Sequence, residues 1–315
     1  MHKKISVGLC ITIAVITLIL TAMITTAVTM SIYSTLISDL PEREAMYTNL
    51  SEIDSLVRTH YLGNSEDETV NDGISEGYLG SLTVGRNFSM TSDEYARFKA
   101  SQQGTDKQGN TVSSVKYEKY SNAGYIKILD FTATTPQEFE KAYASLRSKS
   151  IAGLVIDVRD TDSINIESAA KIIDIIVPLA TEGTQAIATA VDKNNKNIEV
   201  FSADSNSIDI PVSVIINEKT SGAGELLACD IRDFGKGTIV GKTSAGNGTY
   251  QQVFELSDGS AVVLTVAKLL PYTSENYDNV GVKPDYEKEL TKKTDKLSDD
   301  TQFMQAYASV TALKK

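Results

Sequence analysis

Histidine and cysteine are scarce in this sequence, with two of each in 315 positions. Cys10 lies in an apolar N-terminus and Cys229 in an expected helix, so the two are not a disulfide pair and the chain is not a disulfide scaffold. There is no Cys-x-x-Cys and no Cys/His cluster, and nothing points to a metal or a cofactor. Cys229 follows Glu225-Leu226-Leu227-Ala228 and reads as a small buried apolar residue. His2 is terminal. His60 falls in an expected helix far in sequence from the α/β portion, so a Ser-His-Asp or Cys-His site has no convincing base. A serine nucleophile here would need a lysine instead.

Positive charge is also short. Thirty Lys and Arg against 41 Asp and Glu leave a net charge of −11. That argues against nucleic acid as a partner and against an anionic lipid surface, and it favours solubility. Charge of either sign is absent from residues 5 to 38. The run Ile5 to Tyr33 would extend about 43 Å as a helix, enough to cross a bilayer with tilt. It is longer than the apolar region of a cleaved signal peptide and no clear cleavage site follows it. His2, Lys3 and Lys4 precede the run and acidic residues begin at Asp39. The expectation is an uncleaved single-pass anchor, with a cytoplasmic N-terminus and an extracytoplasmic main domain.

What remains is long enough for a sizeable core, with 41% hydrophobic and 23% charged residues. Residues 1–38 are the expected stub and anchor. Residues 39–100 read as helical, with Met46, Leu50, Ile53, Leu56 and Val57 at helical spacing. Residues 101–114 are polar and read as a linker. From 115 to 290 strands and helices alternate, which predicts a layered α/β domain. Expected strands are 124–131, 154–159, 186–191, 198–202, 211–217 and 238–241, then a hairpin of 251–257 and 261–270 around Asp258-Gly259. Thr135, Pro136 and Glu138 open an expected helix, with Thr135 as its N-cap. Further helices are expected at 167–179 and 221–234. Residues 291–315 form a polar tail ending in a helix.

Gly241-Lys242-Thr243 invites a P-loop reading. The required first glycine would stand at Lys236, and the surrounding order is strand to strand rather than strand to helix, so nucleotide binding is rejected. The informative stretch is Val212 to Gln252, where a buried strand meets a tight small-residue turn and then a helix. A helix N-terminus exposes N–H groups and favours negative charge, so a nucleophile on such a turn would have an oxyanion site beside it.

This stretch resembles the catalytic segment of the C-terminal processing peptidases, the tail-specific protease family. The matching residues are Asn217, Thr220-Ser221-Gly222-Ala223-Gly224-Glu225, Gly235-Lys236, Val240-Gly241, Gly246-Asn247-Gly248 and Gln251. The match continues through Leu256 to Ala261 and through Gly281-Val282-Lys283-Pro284-Asp285. Upstream, Gly124-Tyr125-Ile126, Phe131, Ile156-Asp157-Val158-Arg159 and Thr91-Ser92-Asp93-Glu94-Tyr95 also fit. The resemblance covers about 48 to 290 and implies a layered ClpP/crotonase-like core with a helical region before it.

The departures fall on the chemistry. The resemblance assigns the nucleophilic serine to the position of Gly222 and the general-base lysine to that of Asn247, while the accompanying glutamine is kept as Gln251. The family's Asn-x-Pro-Gly-Gly loop, which supplies an oxyanion donor, is replaced by Asp160-Thr161-Asp162-Ser163-Ile164. Glycine has no attacking oxygen, and asparagine accepts no proton near neutral pH as a desolvated lysine does. Losing one member of such a unit costs on the order of 10⁶ in turnover for a serine protease. The segment between Tyr95–Phe98 and Val115 is also too short for the PDZ module many family members carry.

The leading expectation is therefore a pseudoprotease that binds an extended peptide or protein ligand, an active relative of the family among the candidates. Gly222, Ala223 and Gly224 would hold a peptide carboxylate. One alternative is an active enzyme using Ser221 as nucleophile and Lys242 as base, although Ser221 equally suits a helix N-cap. Another is a structural partner in a cell-envelope complex.

Overall fold

In a computed structural model, the described residues are 16–30, 40–177, 185–203, 207–292, 294 and 296–312. The chain divides into two units, residues 1–71 and 72–315.

In the first unit, residues 16–30 form a helix (α1) with exposed side chains, followed by α2 (Leu40–His60). Arg58 bonds Asp54 at 2.8 Å and Asp67 at 2.7 Å. Part of the expected membrane run, Ile5 to Tyr33, lies outside the described residues. Among the described residues, no helix is long and apolar enough to cross a membrane.

The second unit holds the end of α3 (Asp67–Gly80), then β1 (Phe88–Met90) and α4 (Ser92–Gln102). Thr91 and Glu94 form a reciprocal capping box at the start of α4. The expectation of an all-helical 39–100 is corrected here, because β1 pairs antiparallel with a distant strand, β12 (Ala261–Leu270). Three residues are too few to show a period, and tertiary pairing decided their conformation.

The core sheet has six strands: β2 (Val115–Tyr120), β3 (Ala123–Ile128), β4 (Gly153–Asp157), β8 (Val212–Ile216), β10 (Gly237–Gly241) and β13 (Tyr286–Glu287). They stand in the order β13-β10-β8-β4-β3-β2. All neighbours run parallel except β2, which is antiparallel to β3. The central strands β4 and β8 are buried along their whole length because both faces are covered, whereas the edge strands β2 and β13 are largely exposed. Ile126, Ile128, Leu154, Ile156, Val214, Ile216 and Ile239 pack into one core with α5 (Thr135–Arg147), α6 (Ile166–Ile176) and α7 (Ala223–Asp233). The alternate residues Tyr125, Val155, Ile215 and Val240 pack with Phe303, Ala306 and Val310 of α8 (Thr301–Thr311). Helix, sheet and helix thus form three layers.

Thr135 is the first residue of α5 rather than its cap. Its hydroxyl is buried, accepting from Thr132 N–H at 2.8 Å and donating to the Asp130 carbonyl at 3.1 Å. A second sheet joins β1, β12, β6 (Gln185–Asp192) and β7 (Asn197–Ala203), with β11 (Thr249–Glu255) on the other side of β12.

Candidate functional site

The site forms where the parallel strands end. After β8 the chain turns at Asn217–Thr220. Asn217 N–H donates to Thr220 Oγ1, whose hydroxyl reaches the Val158 carbonyl at 3.0 Å. The Asn217 side chain accepts from Asp160 N–H at 3.1 Å and returns a bond to Asp160 Oδ1 at 3.0 Å. Asp160 takes a left-handed φ of 65°, which an aspartate tolerates better than most residues when its side chain is bonded locally. The turn after β8 and the loop after β4 are thereby tied together.

That loop continues as β5 (Asp162–Ser163), which pairs with β9 (Ser221–Gly222). Asp162 stands opposite Ser221, and Ser163 opposite Gly222. Ser221 N–H donates to the Thr161 carbonyl at 2.8 Å. Gly222 has φ +59°, the sharp strand-to-helix corner on which other hydrolase folds place a nucleophile. A Cβ added at Gly222 would lie 2.3 Å from the Ser163 carbonyl oxygen and 3.5 Å from Asn247 Nδ2. The fold therefore brings the expected nucleophile and base positions face to face. It also sets the Ser163 carbonyl where a side chain at Gly222 would stand.

Glu225 organises the rest. It is fully buried. One carboxylate oxygen accepts from Gly222 N–H at 2.9 Å and Asn247 N–H at 2.8 Å. The other accepts from Gly246 N–H at 2.6 Å and from the Ser244 hydroxyl at 2.5 Å. Ser244 Oγ in turn accepts from Val282 N–H at 2.7 Å. A single carboxylate thus clamps the nucleophile turn to the base loop, helped by Ala245 N–H on the Thr220 carbonyl. Asn247 Oδ1 accepts from Thr249 Oγ1 at 2.7 Å. Gln251 is buried, and its Nε2 has no partner among the described residues.

The alternative pair does not come together. Ser221 Oγ is buried without a hydrogen-bond partner among the described residues, and it caps no helix. Lys242 Nζ pairs instead with Glu289 and, at 3.4 Å, with Glu287. The hydrogen bond that Lys242 donates to Glu289 leads in pushing the ammonium above its ordinary pKa, the opposite of what a general base needs. Gly241, with φ +127°, is fixed by close packing. A Cβ there would meet the Ile216 carbonyl at 2.0 Å, so the Gly-Lys-Thr sequence marks a sheet end.

Gly222, Ala223 and Gly224, the expected peptide-carboxylate position, lie inside the domain. All three are buried, with Ser163 against Gly222 and Thr161 against Gly224. The roles of Glu225 and Ser163 were missed from sequence. The signal for Glu225 was its place three residues after the turn, the spacing at which a glutamate reaches back to a helix start. Ser163 acts through its carbonyl, which leaves no side-chain signal.

Beside the turn, Tyr125 OH donates to Asp157 Oδ2 at 2.6 Å, and Arg159 bridges Asp157 at 2.6 Å and Asp300 at 2.8 Å. Arg159 also donates to Gln302 Oε1 at 2.9 Å. Burial alone would raise the Asp157 carboxyl; the Arg159 guanidinium outweighs it and holds the group below the usual range. Burial pushes the Cys229 thiol up to about 12, which makes it inert. Among the described residues, no group of His, Cys, Asp and Glu could hold a metal.

The profile described as peptidase family S41 matches residues 122–288. Carboxy-terminal processing protease CtpB of Bacillus subtilis is 33% identical over 172 residues, covering 55% of this chain and 35% of the relative. The chloroplastic C-terminal processing peptidase of Tetradesmus obliquus is 31% identical over 164 residues, covering 51% and 34%. The chain spans about a third of the length of these curated relatives. Among solved structures, a photosystem II D1 C-terminal processing protease superposes with a TM-score of 0.51 at 27% identity, covering 58% of this chain and 50% of that one. A lipoprotein from Streptococcus agalactiae gives a TM-score of 0.56 at 16% identity, covering 72% and 80%, and shares the fold alone.

Proposed function

Since the chain belongs to peptidase family S41, we propose that it is a catalytically silent member, anchored in a membrane and acting outside the cytoplasm by binding protein. The observation that carries this reading is the meeting of Gly222 and Asn247 across the site, with the Ser163 carbonyl lodged where a nucleophile's side chain would stand. Neither residue supplies an attacking oxygen or a proton acceptor. The anchor is supported by the uncharged run 5–38 behind Lys3 and Lys4. With the Gly222–Gly224 turn buried, binding belongs to the outer surface of the domain rather than to the old oxyanion position.

The test is incubation of the purified chain with an unstructured protein ending in a hydrophobic C-terminus, together with a serine-directed fluorophosphonate probe. No cleavage and no labelling are expected. Cleavage abolished by Ser221→Ala would sink the proposal and reinstate a shifted nucleophile.

A further inference from the structure

The core sheet ends on one side in β2, which has β3 as its neighbour and, among the described residues, nothing on its other edge. The register of β2 on β3 decides which backbone groups face outward. Leu129 N–H donates to the Ser114 carbonyl at 2.7 Å, in step with Val115 opposite Ile128. In an antiparallel ladder, bonded and non-bonded pairs alternate. Lys116, Glu118 and Tyr120 therefore spend their backbone groups on β3, and Val115, Tyr117 and Lys119 point theirs away. The Ser113 hydroxyl closes off Val115, accepting from its N–H at 3.4 Å and donating to its carbonyl at 3.0 Å. The open edge is thus centred on Tyr117 and Lys119.

The side chains along this edge are unbalanced in charge. Lys116 stands directly opposite Lys127. Lys116 and the exposed Glu118 two residues on lack an ion-pair partner among the described residues. Lys127 stands opposite Asp157 on β4 and helps to lower its carboxyl, but that carboxylate is already bonded to Arg159 and Tyr125. Like charges facing each other across a ladder are destabilising, so this row calls for a carboxylate. Lys119 is turned aside, its ammonium on the Lys149 carbonyl at 2.5 Å. Tyr117 is 46% exposed.

We propose that β2 pairs antiparallel with β2 of a second copy, about a two-fold axis at Tyr117, to make one continuous sheet. Outward-facing residues must meet outward-facing residues, which permits few registers. Tyr117 on Tyr117 sets Lys116 opposite Glu118 of the second copy, twice by symmetry. Each Glu118 then completes a Glu–Lys–Lys row across three strands. Tyr117 on Lys119 would set Glu118 on Glu118, and Lys119 on Lys119 would stack like charge. Charge complementarity thus selects a single register, and a symmetric pair is the self-complementary contact expected of a dimer. Lysines on an edge strand usually discourage pairing; here the interleaved Glu118 turns the same lysines into a match for one specific partner, the chain itself.

The full chain, purified in detergent, would be examined by light scattering and by oxidative cross-linking. A dimer is expected. Glu118→Lys should raise its dissociation constant about tenfold, and Lys116→Glu with Glu118→Lys should restore it. Tyr117→Cys in a Cys10→Ser background should form a disulfide-linked dimer on oxidation, since a bonded pair on the two-fold axis stands about 5.5 Å apart between Cα atoms, within disulfide reach. A monomeric chain overturns the proposal. So does a dimer that Glu118→Lys leaves intact, which would belong to another surface such as the apolar N-terminus.

Discussion

The Ser163 carbonyl oxygen lies 2.3 Å from where a Cβ on Gly222 would stand. Restoring the side chains a peptidase would need is therefore not enough. Gly222→Ser with Asn247→Lys should cleave no better than the natural chain, because the serine must first expel backbone held by β5–β9 pairing and the Asp160–Asn217 bonds. The double variant should also lose about 1–3 kcal/mol of stability, from a side chain at φ +59° and the clash. Exchanging Asp160–Ile164 for Asn-Ala-Pro-Gly-Gly in that background should be the change that admits cleavage. Release of a C-terminal fragment, followed by mass spectrometry, reads each step. Full activity in the double variant alone would mean that residues 160–164 move freely.

Much of this was legible in the sequence. The strands at 153–157 and 212–216 stand out as continuous apolar runs because both faces are buried. Gly222 and Asn247 were readable because a family pattern fixes 25 positions between them, and the fold sets them facing. The two-residue strands β5 and β13 and the three-residue β1 were not readable, since so few residues carry no period. The polar, charge-alternating Val115–Tyr120 also hid as a strand, because an edge strand owes little to burial. The occlusion by Ser163 was beyond sequence altogether, since it is a backbone contact between segments some 60 positions apart.

Glu225 is the main clamp between the nucleophile turn and the base loop, beside the Ala245 N–H bond to the Thr220 carbonyl. As a carboxylate it only accepts, and all four of its partners donate. Glu225→Gln sets its NH₂ group against two backbone N–H donors where Gly222 and Asn247 now bond, or against Gly246 N–H and the Ser244 hydroxyl in the other orientation. The loss should be about 3 kcal/mol in urea denaturation, with the midpoint shifted and the slope unchanged. A change near zero would mean that residues 244–247 hold their place without it.

Asp300 serves two ends at once. It pairs with Arg159, and its other oxygen caps α8 through Gln302 N–H and Phe303 N–H, both at 2.9 Å. Asp300→Ala should cost about 2–4 kcal/mol, from one charge-assisted hydrogen bond and the α8 cap, since Arg159 keeps Asp157 and Gln302. The same network governs acid stability. The folded Asp157 carboxyl sits below its unfolded value, so its contribution is present in full above the unfolded pKa and is lost as pH falls through the folded one. Thermal unfolding followed downward from neutral pH should show the decline setting in below about pH 4.

Asp230 works in the opposite direction. It is fully buried on α7, and Oδ1 accepts from Tyr272 N–H at 3.0 Å while Oδ2 has no partner among the described residues. Burial, with Asp233 adding to it, raises the folded carboxyl well above its usual range. Between the unfolded and folded pKa values the native state holds a proton that the unfolded chain has released, so stability falls as pH rises through that window. Below the unfolded pKa both states are protonated and the penalty vanishes. Asp230→Asn keeps an oxygen for Tyr272 and has no proton to lose. It should therefore stabilise the protein by about 1 kcal/mol or more at neutral pH, with the gain shrinking to nothing near pH 4. Paired melting curves of the two proteins across that range test this. A gain independent of pH would assign the effect to packing, and a loss at every pH would mean that Oδ2 has a bonding partner which the asparagine cannot satisfy.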